Sequence, residues 1–348
     1  MTTLRLATPD DDALLRSILR SNGMPTWVEM AIEREPSFFA ATDVYGRDWA
    51  VIAQDNDEVI GMYTASILPV HVNGRAEQVG YLGGLRVNPA HRRRIRYLRE
   101  GYASIERLAP TAGTVAWWFT VVAAENQAAR RLLEAGVRGL PAYYLQGDYV
   151  TYALPTARGK RLGLWRPPDE TELDRMAEFH NLQAARFHYS PMLDRALVGR
   201  IGRDRFYIHE QGGAMLAVAA LWDQRAFKQI VARRYRAPVG AFVPCYNLYA
   251  RLSRRIPLPR AGRALDQTFI AFLAIADGAM PIAASLLRDL LSHCETPAAS
   301  LGLHSRYALG EVLERFKPIR YPAKVYAVSF DEKPAIDSRP AQPEAALL

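Results

Sequence analysis

The sequence predicts an α/β (α+β) protein of two similar domains, each with a mixed, mostly antiparallel central sheet flanked by helices. The chain has 348 residues, which favours two domains, each large enough to bury its own core. Strand-like and helix-like segments alternate along it. Their order in the first half recurs in the second at an offset close to half the chain, which favours duplication of one domain.

The first predicted elements are a strand, a helix and a hairpin. LRLAT is a short strand, and the helix ALLRSILRS follows Asp10–Asp12, acids that favour the positive end of a helix. WAVIAQ and VIGMYTASILPVHV flank the turn DNDE, a pattern typical of an antiparallel hairpin. The apolar face of the helix consists of Leu14, Leu15, Ile18 and Leu19.

The rest of the first half continues the alternation. EQVGYLGGLRV is a strand ended by Pro89, which cannot donate a ladder hydrogen bond, and helical spacing begins after it. VAWWFTVVAA is then a buried strand, ENQAARRLLEAG a helix closed by Gly136, and YVTYAL a last strand. The order predicted for residues 1–155 is β-α-α-β-β-β-α-β-α-β.

A second domain is predicted for residues 161–330, after the linker PTARGK. A strand and an acid-led helix in LGLWRPPDETELDRMAEFHNLQAA are followed by a hairpin that turns at Gly212 and Gly213. FIAFLAIAD and IAASLLRDLLSHC repeat the strand and helix around Val87, and ASLGLH, ALGEVLERF and AKVYAVSF close the domain. Residues 331–348 are rich in Pro and Ala without periodicity, so we predict a disordered tail.

Composition restricts the class of protein. The net charge of +8 allows an acidic partner, but 39 of the 44 basic residues are arginine, which equally fits a GC-rich genome. Cys245 and Cys294 lack metal-type spacing, so a reducing, cytoplasmic location without disulfides or zinc is expected. MTTLRLATPDDD does not resemble a signal peptide. Asp277 and Pro281 interrupt the most apolar long segment, which makes a membrane span unexpected.

The stretch VNPAHRRRIRYL, from Val87 to Leu98, predicts an anion site. A strand that feeds a helix through a short loop presents backbone N–H groups that no helical bond uses. Such a terminus binds anions, and neighbouring arginines add charge and forked donors. The compact loop favours one phosphate group. A nucleic acid is not expected, because its backbone would need basic residues spread over a face and interleaved with aromatic platforms.

YLGGLRVNPAHRRRIRYL resembles the central motif of the GNAT superfamily of acyl-CoA-dependent N-acyltransferases: an apolar strand, V-x-P, and a pyrophosphate loop that opens a helix. ENQAARRLLEAGV resembles the second signature of the family, an Asn with Ala at the third position. The resemblance covers residues 3–154 in element order. Since the family includes tandem-duplicated members, it implies a second GNAT-like domain in residues 161–330, degenerate and shaping the acceptor site.

The resemblance implies acetyl-CoA, or another acyl-CoA, as the cofactor. The strand Leu85–Val87, with Arg86 between them, would pair with the pantetheine arm, and the N–H near Val87 would polarise the thioester carbonyl. Arg92 holds the first position of the family's Q/R-x-x-G-x-G/A loop. Asn126 and Ala129 would lie beside the pantetheine. The backbone groups expected to hold the pyrophosphate belong to Arg93, Arg94, Ile95, Arg96 and Tyr97.

Three positions depart from the family pattern. Ile95 and Tyr97 replace the loop glycines, and their side chains would crowd a pyrophosphate. Leu133 stands where many members have the Tyr that protonates the departing thiolate. Tyr143 and Tyr144 follow soon after, but adjacent tyrosines entering a strand are more typical of core and surface positions.

Two residues are predicted as catalytic bases. Tyr81 lies on the central strand, although a phenol with an ordinary pKa near 10 is a poor base at neutral pH. Glu125 follows VVAA where two strands are expected to splay, but an acid before a helix can equally serve as a cap.

The sequence therefore predicts an N-acyltransferase, most simply an acetyltransferase, acting on a small-molecule or peptide amine. Two other hypotheses remain: a catalytically inactive GNAT-fold module that senses CoA or binds protein, and nucleic-acid binding through the arginines. The acceptor, the acyl length and the oligomeric state are open at this stage.

Overall fold

The structure is a computed structural model that describes residues 2–25, 27–42, 47–56, 58–91, 94–108, 115 and 117–348. The helices in these ranges are α1 (Asp12–Ser21), α2 (Ile95–Leu108), α3 (Gln127–Glu134), α4 (Leu173–Ala184), α5 (Arg195–Ile201), α6 (Val239–Leu252), α7 (Ala283–Leu291) and α8 (Leu309–Glu314). None of them is long and apolar enough to cross a bilayer.

The strands are β1 (Thr2–Leu6), β2 (Met24–Pro25), β3 (Val28–Glu33), β4 (Arg47–Asp55), β5 (Glu58–Val72), β6 (Arg75–Val87), β7 (Trp118–Ala123), β8 (Ala142–Pro155), β9 (Phe206–Gln211), β10 (Ala214–Trp222), β11 (Gln229–Tyr235), β12 (Arg263–Ala264), β13 (Gln267–Ile275), β14 (Ala298–His304) and β15 (Ile319–Ser329). The strands and helices quoted from the sequence are present, with one exception: the strand predicted in LGLWRPP is wrong, because that segment forms only a single bridge, between Arg166 and Ile208. The described part of the segment between α1 and β4 forms β2 and β3.

Eleven strands form one continuous sheet in the order β1-β4-β5-β6-β7-β15-β8-β14-β13-β10-β9. The pairs β6–β7 and β13–β14 are parallel, and the other neighbours are antiparallel. β5 is buried along most of its length, which explains its nearly continuous apolar sequence. The sheet confirms the predicted class, mixed and mostly antiparallel, with helices on its faces.

The closing strands of the two halves are exchanged. β15, from the second half, pairs with β7 of the first, and β8, from the first half, pairs with β14 of the second. β8 and β15 also pair with each other, from Ala142 opposite Ser329 to Ala153 opposite Ile319. Residue 155 therefore ends β8 but does not end a self-contained sheet, because the ladder continues across the boundary predicted between the domains.

The halves also share a core and a second sheet. The rings of Phe119 and Tyr189 stack with centroids 4.6 Å apart inside the largest apolar cluster. The small sheet β12-β11-β3-β2 joins β3 of the first half to β11 of the second. At its end, the amide of Gln229 bonds both the N–H and the C=O of Glu35, each at 3.0 Å. These contacts fix the second half against the first.

The tail at residues 331–348, predicted to be disordered, is packed against the protein, so that prediction was wrong. Ala341 and Ala346 are buried, and Ala341 forms a parallel bridge with His188. The Tyr149 hydroxyl donates to the carbonyl of Pro343 at 2.8 Å, and the Gln224 amide donates to that of Ala346 at 2.9 Å. Small side chains suit this segment because its main-chain carbonyls can then approach buried donors of the protein closely.

Candidate functional site

The site begins where two parallel strands separate. β6 and β7 pair only at Gly80–Trp118 and Tyr81–Phe119. The Thr120 hydroxyl then donates to the carbonyl of Leu82 at 2.7 Å. Beyond this point residues 83–87 of β6 and 120–123 of β7 line a common cavity. The separation leaves backbone groups of the β6 edge directed into an opening.

A bulge in β6 directs this edge toward the opening. Thr64 pairs with Gly83 but Met62 pairs with Arg86, so an extra residue is inserted opposite β5. Gly84, in the bulge, has φ of 59°, and a Cβ there would lie 2.8 Å from the Thr64 hydroxyl oxygen. Only glycine suits both conditions.

The cavity has a volume of about 340 Å³. Its walls come from β4, β5, β6, β7, α2 and α3, with further residues from the C-terminal half. The sequence-predicted residues that line it are Tyr81, Leu85, Arg86, Val87, Tyr97, Asn126 and Ala129. Leu85 is 44% exposed at its mouth. The two motifs therefore meet at one cavity.

In the arginine loop, defined as residues 92–97, two of the backbone N–H groups predicted to bind phosphate already have partners. Arg92 and Arg93 lie outside the described residues. The N–H of Arg94 donates to His91 O at 3.0 Å, and that of Tyr97 donates to Arg94 O at 3.1 Å. These two predicted phosphate donors are thus used in turns. Arg94, Ile95 and Arg96 are not among the described residues that line the cavity, although Arg94 and Arg96 are exposed beside it in the chain.

Tyr97 fills the position of a loop glycine with a polar network. Its hydroxyl donates to Asp55 at 3.1 Å and accepts from Arg96 at 2.8 Å and from Arg94 at 3.2 Å. The Arg96 guanidinium lies 4.7 Å from the ring centroid, and the His91 ring packs edge-on at 5.4 Å. Tyr97 therefore ties the start of α2 to β4, work that a glycine could not do.

Asn126 has a structural role in addition to its place at the cavity. As the N-cap of α3, its side-chain oxygen accepts the Ala129 N–H at 3.2 Å. The cap fixes the first turn of α3, and Leu133, one turn further, also lines the cavity. The position that carries Tyr in many GNAT proteins therefore does face the cavity here, with an apolar side chain.

Of the two predicted bases, Tyr81 and Glu125, only Tyr81 is among the described residues that line the cavity. Tyr81 lines the cavity, and burial raises the pKa of its phenol to about 12. It stays protonated at neutral pH and can donate a hydrogen bond there. Glu125 is exposed in the turn between β7 and α3 and is absent from the described cavity lining. An acid that precedes a helix faces solvent at this turn, so the geometry does not support Glu125 as a base.

Tyr143 and Tyr144 are successive residues of β8, so their side chains point to opposite faces of the sheet. Tyr143 lines the cavity together with Tyr102, and their hydroxyl oxygens lie 2.5 Å apart. Burial raises the pKa of Tyr102, and it raises that of Tyr143 well above its usual range. Tyr144 does not line the cavity, and its ring lies 5.7 Å from the ammonium of Lys333. The cavity thus contains a pair of protonated phenols, Tyr102 and Tyr143, and Tyr143 is not only a packing residue.

Three charged residues that no sequence motif indicated, Arg34, Asp48 and Lys228, also line the cavity. Arg34 pairs with Asp48 at 3.2 Å, and the buried Lys228 ammonium donates to the carbonyl oxygens of Ala346 and Leu348. Burial raises the pKa of Asp48. Burial, together with the nearby Arg34 charge, lowers the pKa of Lys228 to about 7. Asp48 lies on β4, Arg34 directly follows β3, and Lys228 directly precedes β11, so no local spacing could have indicated them.

Stability should depend on pH through Lys228 and the nearby Glu344. Burial raises the pKa of Glu344 from 4.5 to about 7, so its contribution to stability is lost as pH rises through that range. Burial lowers the pKa of Lys228 from 10.5 to about 7, so its contribution is lost as pH falls from 10.5 toward 7.

Both effects predict a minimum in the free energy of unfolding near pH 7, with slopes of up to about 1.4 kcal/mol per pH unit for each group. Urea denaturation at a series of pH values measures the free energy of unfolding of the unaltered chain and of a Glu344→Gln/Lys228→Met variant. The double variant should lack the minimum, and identical profiles would contradict the assignment.

The equivalent opening in the second half is occupied by the chain itself. β13 and β14 pair in parallel only from Gln267–Ala298 to Phe269–Ser300. Phe272, at a bulge in β13, has φ of 53°, and its N–H donates to the Glu344 carboxylate at 2.8 Å. Residues 342–344 line the space that follows. The segment that fills this opening leaves the β6–β7 cavity as the place where a cofactor could enter.

Comparisons with known proteins agree with this geometry. A model of the acetyltransferase (GNAT) family matches residues 19–137, and a search of curated proteins gave no significant match. Saccharomyces cerevisiae N-myristoyltransferase, solved with bound myristoyl-CoA, is similar over 97% of this chain and 87% of that chain, with a TM-score of 0.60 and 11% identity. A GCN5-related N-acetyltransferase from Sphaerobacter thermophilus is similar over 98% and 97%, with a TM-score of 0.53 and 12% identity.

At such low identity the structural similarity establishes the fold alone. The family assignment rests on the family model, whose matched residues 19–137 contain the bulged β6, the arginine loop and the Asn126 cap. The family model and the tandem-like architecture point the same way, and the chain contains a domain of the acetyltransferase (GNAT) family at residues 19–137.

Proposed function

We propose that the protein transfers an acyl group, acetyl in the simplest case, from acyl-CoA to an amine. The observation that carries the proposal is the cavity at the β6–β7 separation, bordered by the bulged edge at residues 83–87. An extended pantetheine can pair with such an edge as an added strand, and an N–H near Val87 can then stabilise the oxyanion. The bound myristoyl-CoA of the yeast N-myristoyltransferase supports acyl-CoA as the class of cofactor.

The chemistry needs a proton acceptor and a proton donor. The amine attacks the thioester carbonyl, the new C–N bond forms, and the C–S bond breaks with loss of thiolate. Among the described residues that line the cavity, Asp48 has the only side-chain carboxylate, so we assign it to hold the ammonium group and receive its proton. Tyr143 gives a proton to the thiolate, and Tyr81 remains a proposed hydrogen-bond donor to the acceptor. A small-molecule or peptide amine fits this arrangement.

Acetyl-CoA should bind with measurable heat, and the variant Ala129→Phe should weaken binding at least about tenfold. Ala129 lines the cavity, so a ring there occupies the place of the pantetheine. Ala128→Phe, on the same helix but exposed and outside the cavity lining, is the matched control. Calorimetry with acetyl-CoA and longer acyl-CoAs measures this, and absence of heat with every acyl-CoA would refute the cofactor assignment.

The alternative is a module that binds CoA without catalysis. The occupied N–H groups of Arg94 and Tyr97 and the apolar Leu133 favour it. It predicts acyl-CoA binding without release of free CoA in the presence of a broad amine panel. Steady release of CoA with any amine would exclude it, and binding without turnover would exclude the transferase.

A further inference from the structure

Helix α6 exposes most of its apolar surface. Only Val243 and Ala250 among its 14 residues are buried. Spacings of three and seven place Phe242, Tyr249 and Leu252 on one face, a row about 15 Å long. Leu248 lies on the same helix beside this row. The exposed fractions of these side chains are 64% for Phe242, 64% for Leu248, 52% for Tyr249 and 81% for Leu252. An apolar row of this size, left outside the fold, marks an interaction surface.

The chain around α6 carries charge of one sign. Residues 229–265 contain eight arginines and no Asp or Glu. Arg236 precedes the helix, Arg251 lies in its last turn and Arg254 follows it, and all three are exposed. Within the described ranges, the ion pairs of this stretch are those of Arg233 with Glu33 and Arg234 with Glu29. The eight are Arg233, Arg234, Arg236, Arg251, Arg254, Arg255, Arg260 and Arg263.

Aromatic side chains lie at the start of the helix. Trp27 is 45% exposed, its ring lies 6.3 Å from that of Tyr235, and its carbonyl accepts the Arg236 N–H at 3.1 Å. Tryptophan and tyrosine have an apolar body and a polar edge, a combination suited to the boundary between water and an apolar phase. The surface thus combines an apolar row, arginines at both ends and boundary aromatics.

We propose that α6, with Trp27 and the flanking arginines, is a peripheral binding surface for anionic membrane lipids. The helix lies in the plane of the interface, its apolar row enters the acyl boundary, and the arginines bind headgroup phosphates. A second copy of the chain fits poorly, because it would bring the exposed Arg236, Arg251 and Arg254 of both copies together. A nucleic acid would leave Phe242, Leu248 and Leu252 without apolar partners.

Vesicle sedimentation tests the proposal. The full chain should bind phosphatidylcholine vesicles that contain phosphatidylserine, bind pure phosphatidylcholine at least about tenfold more weakly, and lose affinity as salt rises. Leu248→Ser/Leu252→Ser and Arg251→Gln/Arg254→Gln should each weaken binding about tenfold or more. Leu182→Ser is the matched control, because Leu182 is 70% exposed on α4, and its binding should stay within about twofold of the unaltered chain.

Three results would overturn the proposal. One is equal binding, or none, to the two kinds of vesicle. Another is self-association of the unaltered chain in analytical ultracentrifugation that the Leu248→Ser/Leu252→Ser variant lacks, which would make this face an interface between copies. The third is binding of a polyglutamate peptide as tightly as the anionic vesicles and regardless of the serine substitutions, which would indicate an acidic protein partner.

Discussion

Tyr143→Phe should lower kcat about a hundredfold with an accepted amine, while the Kd for acetyl-CoA stays within about twofold. The Tyr143 hydroxyl lies in the cavity, 2.5 Å from that of Tyr102, and its raised pKa keeps it protonated at neutral pH. A departing thiolate can take the proton from it, and a phenylalanine ring fills the same space without offering one. Steady-state release of free CoA measures kcat, and calorimetry measures the Kd.

Tyr144→Phe is the matched control for this prediction. It removes the same atom from the neighbouring residue, which does not line the cavity, so kcat should stay unchanged. Leu133→Tyr in the Tyr143→Phe background should restore part of kcat, because Leu133 faces the cavity at the position where many GNAT proteins carry a tyrosine. Full kcat in Tyr143→Phe, or equal losses in both single variants, would remove Tyr143 from the mechanism.

The elements of the fold could be predicted from the sequence because each leaves a local pattern. The apolar runs of β5 and β7 and the spacing of α2 depend on neighbouring residues. The exchange of β8 and β15 leaves no such pattern, because the partners of a strand lie far from it in the chain and its own residues do not specify them. Burial of the tail at residues 331–348 was equally hidden, since it depends on a gap between β13 and β14 that only the folded sheet creates.

Some residues of the candidate site could likewise be predicted from the sequence, and others could not. Leu85, Val87, Asn126 and Ala129 belong to two short motifs, and they line the cavity together. Arg34, Asp48 and Lys228 reach it from three segments that are not neighbours in the sequence, so only the three-dimensional structure brings them together. Glu125 lies next to the Asn126 motif in the sequence, but the turn between β7 and α3 directs its side chain to solvent, and the sequence does not specify that direction.

Deletion of residues 331–348 should cost about 4 kcal/mol or more of unfolding free energy, enough to leave many proteins unfolded. The deletion leaves buried donors without acceptors, at about 1–3 kcal/mol each. These donors are the Tyr149 hydroxyl and the N–H groups of His188 and Phe272. Glu332→Gly/Lys333→Ser, at two exposed positions of the same segment, should change stability by less than about 0.5 kcal/mol. Urea denaturation measures both, and a deletion as stable as the full chain would mean that the segment is not held against β13, contrary to the Glu344–Phe272 bond that places it there.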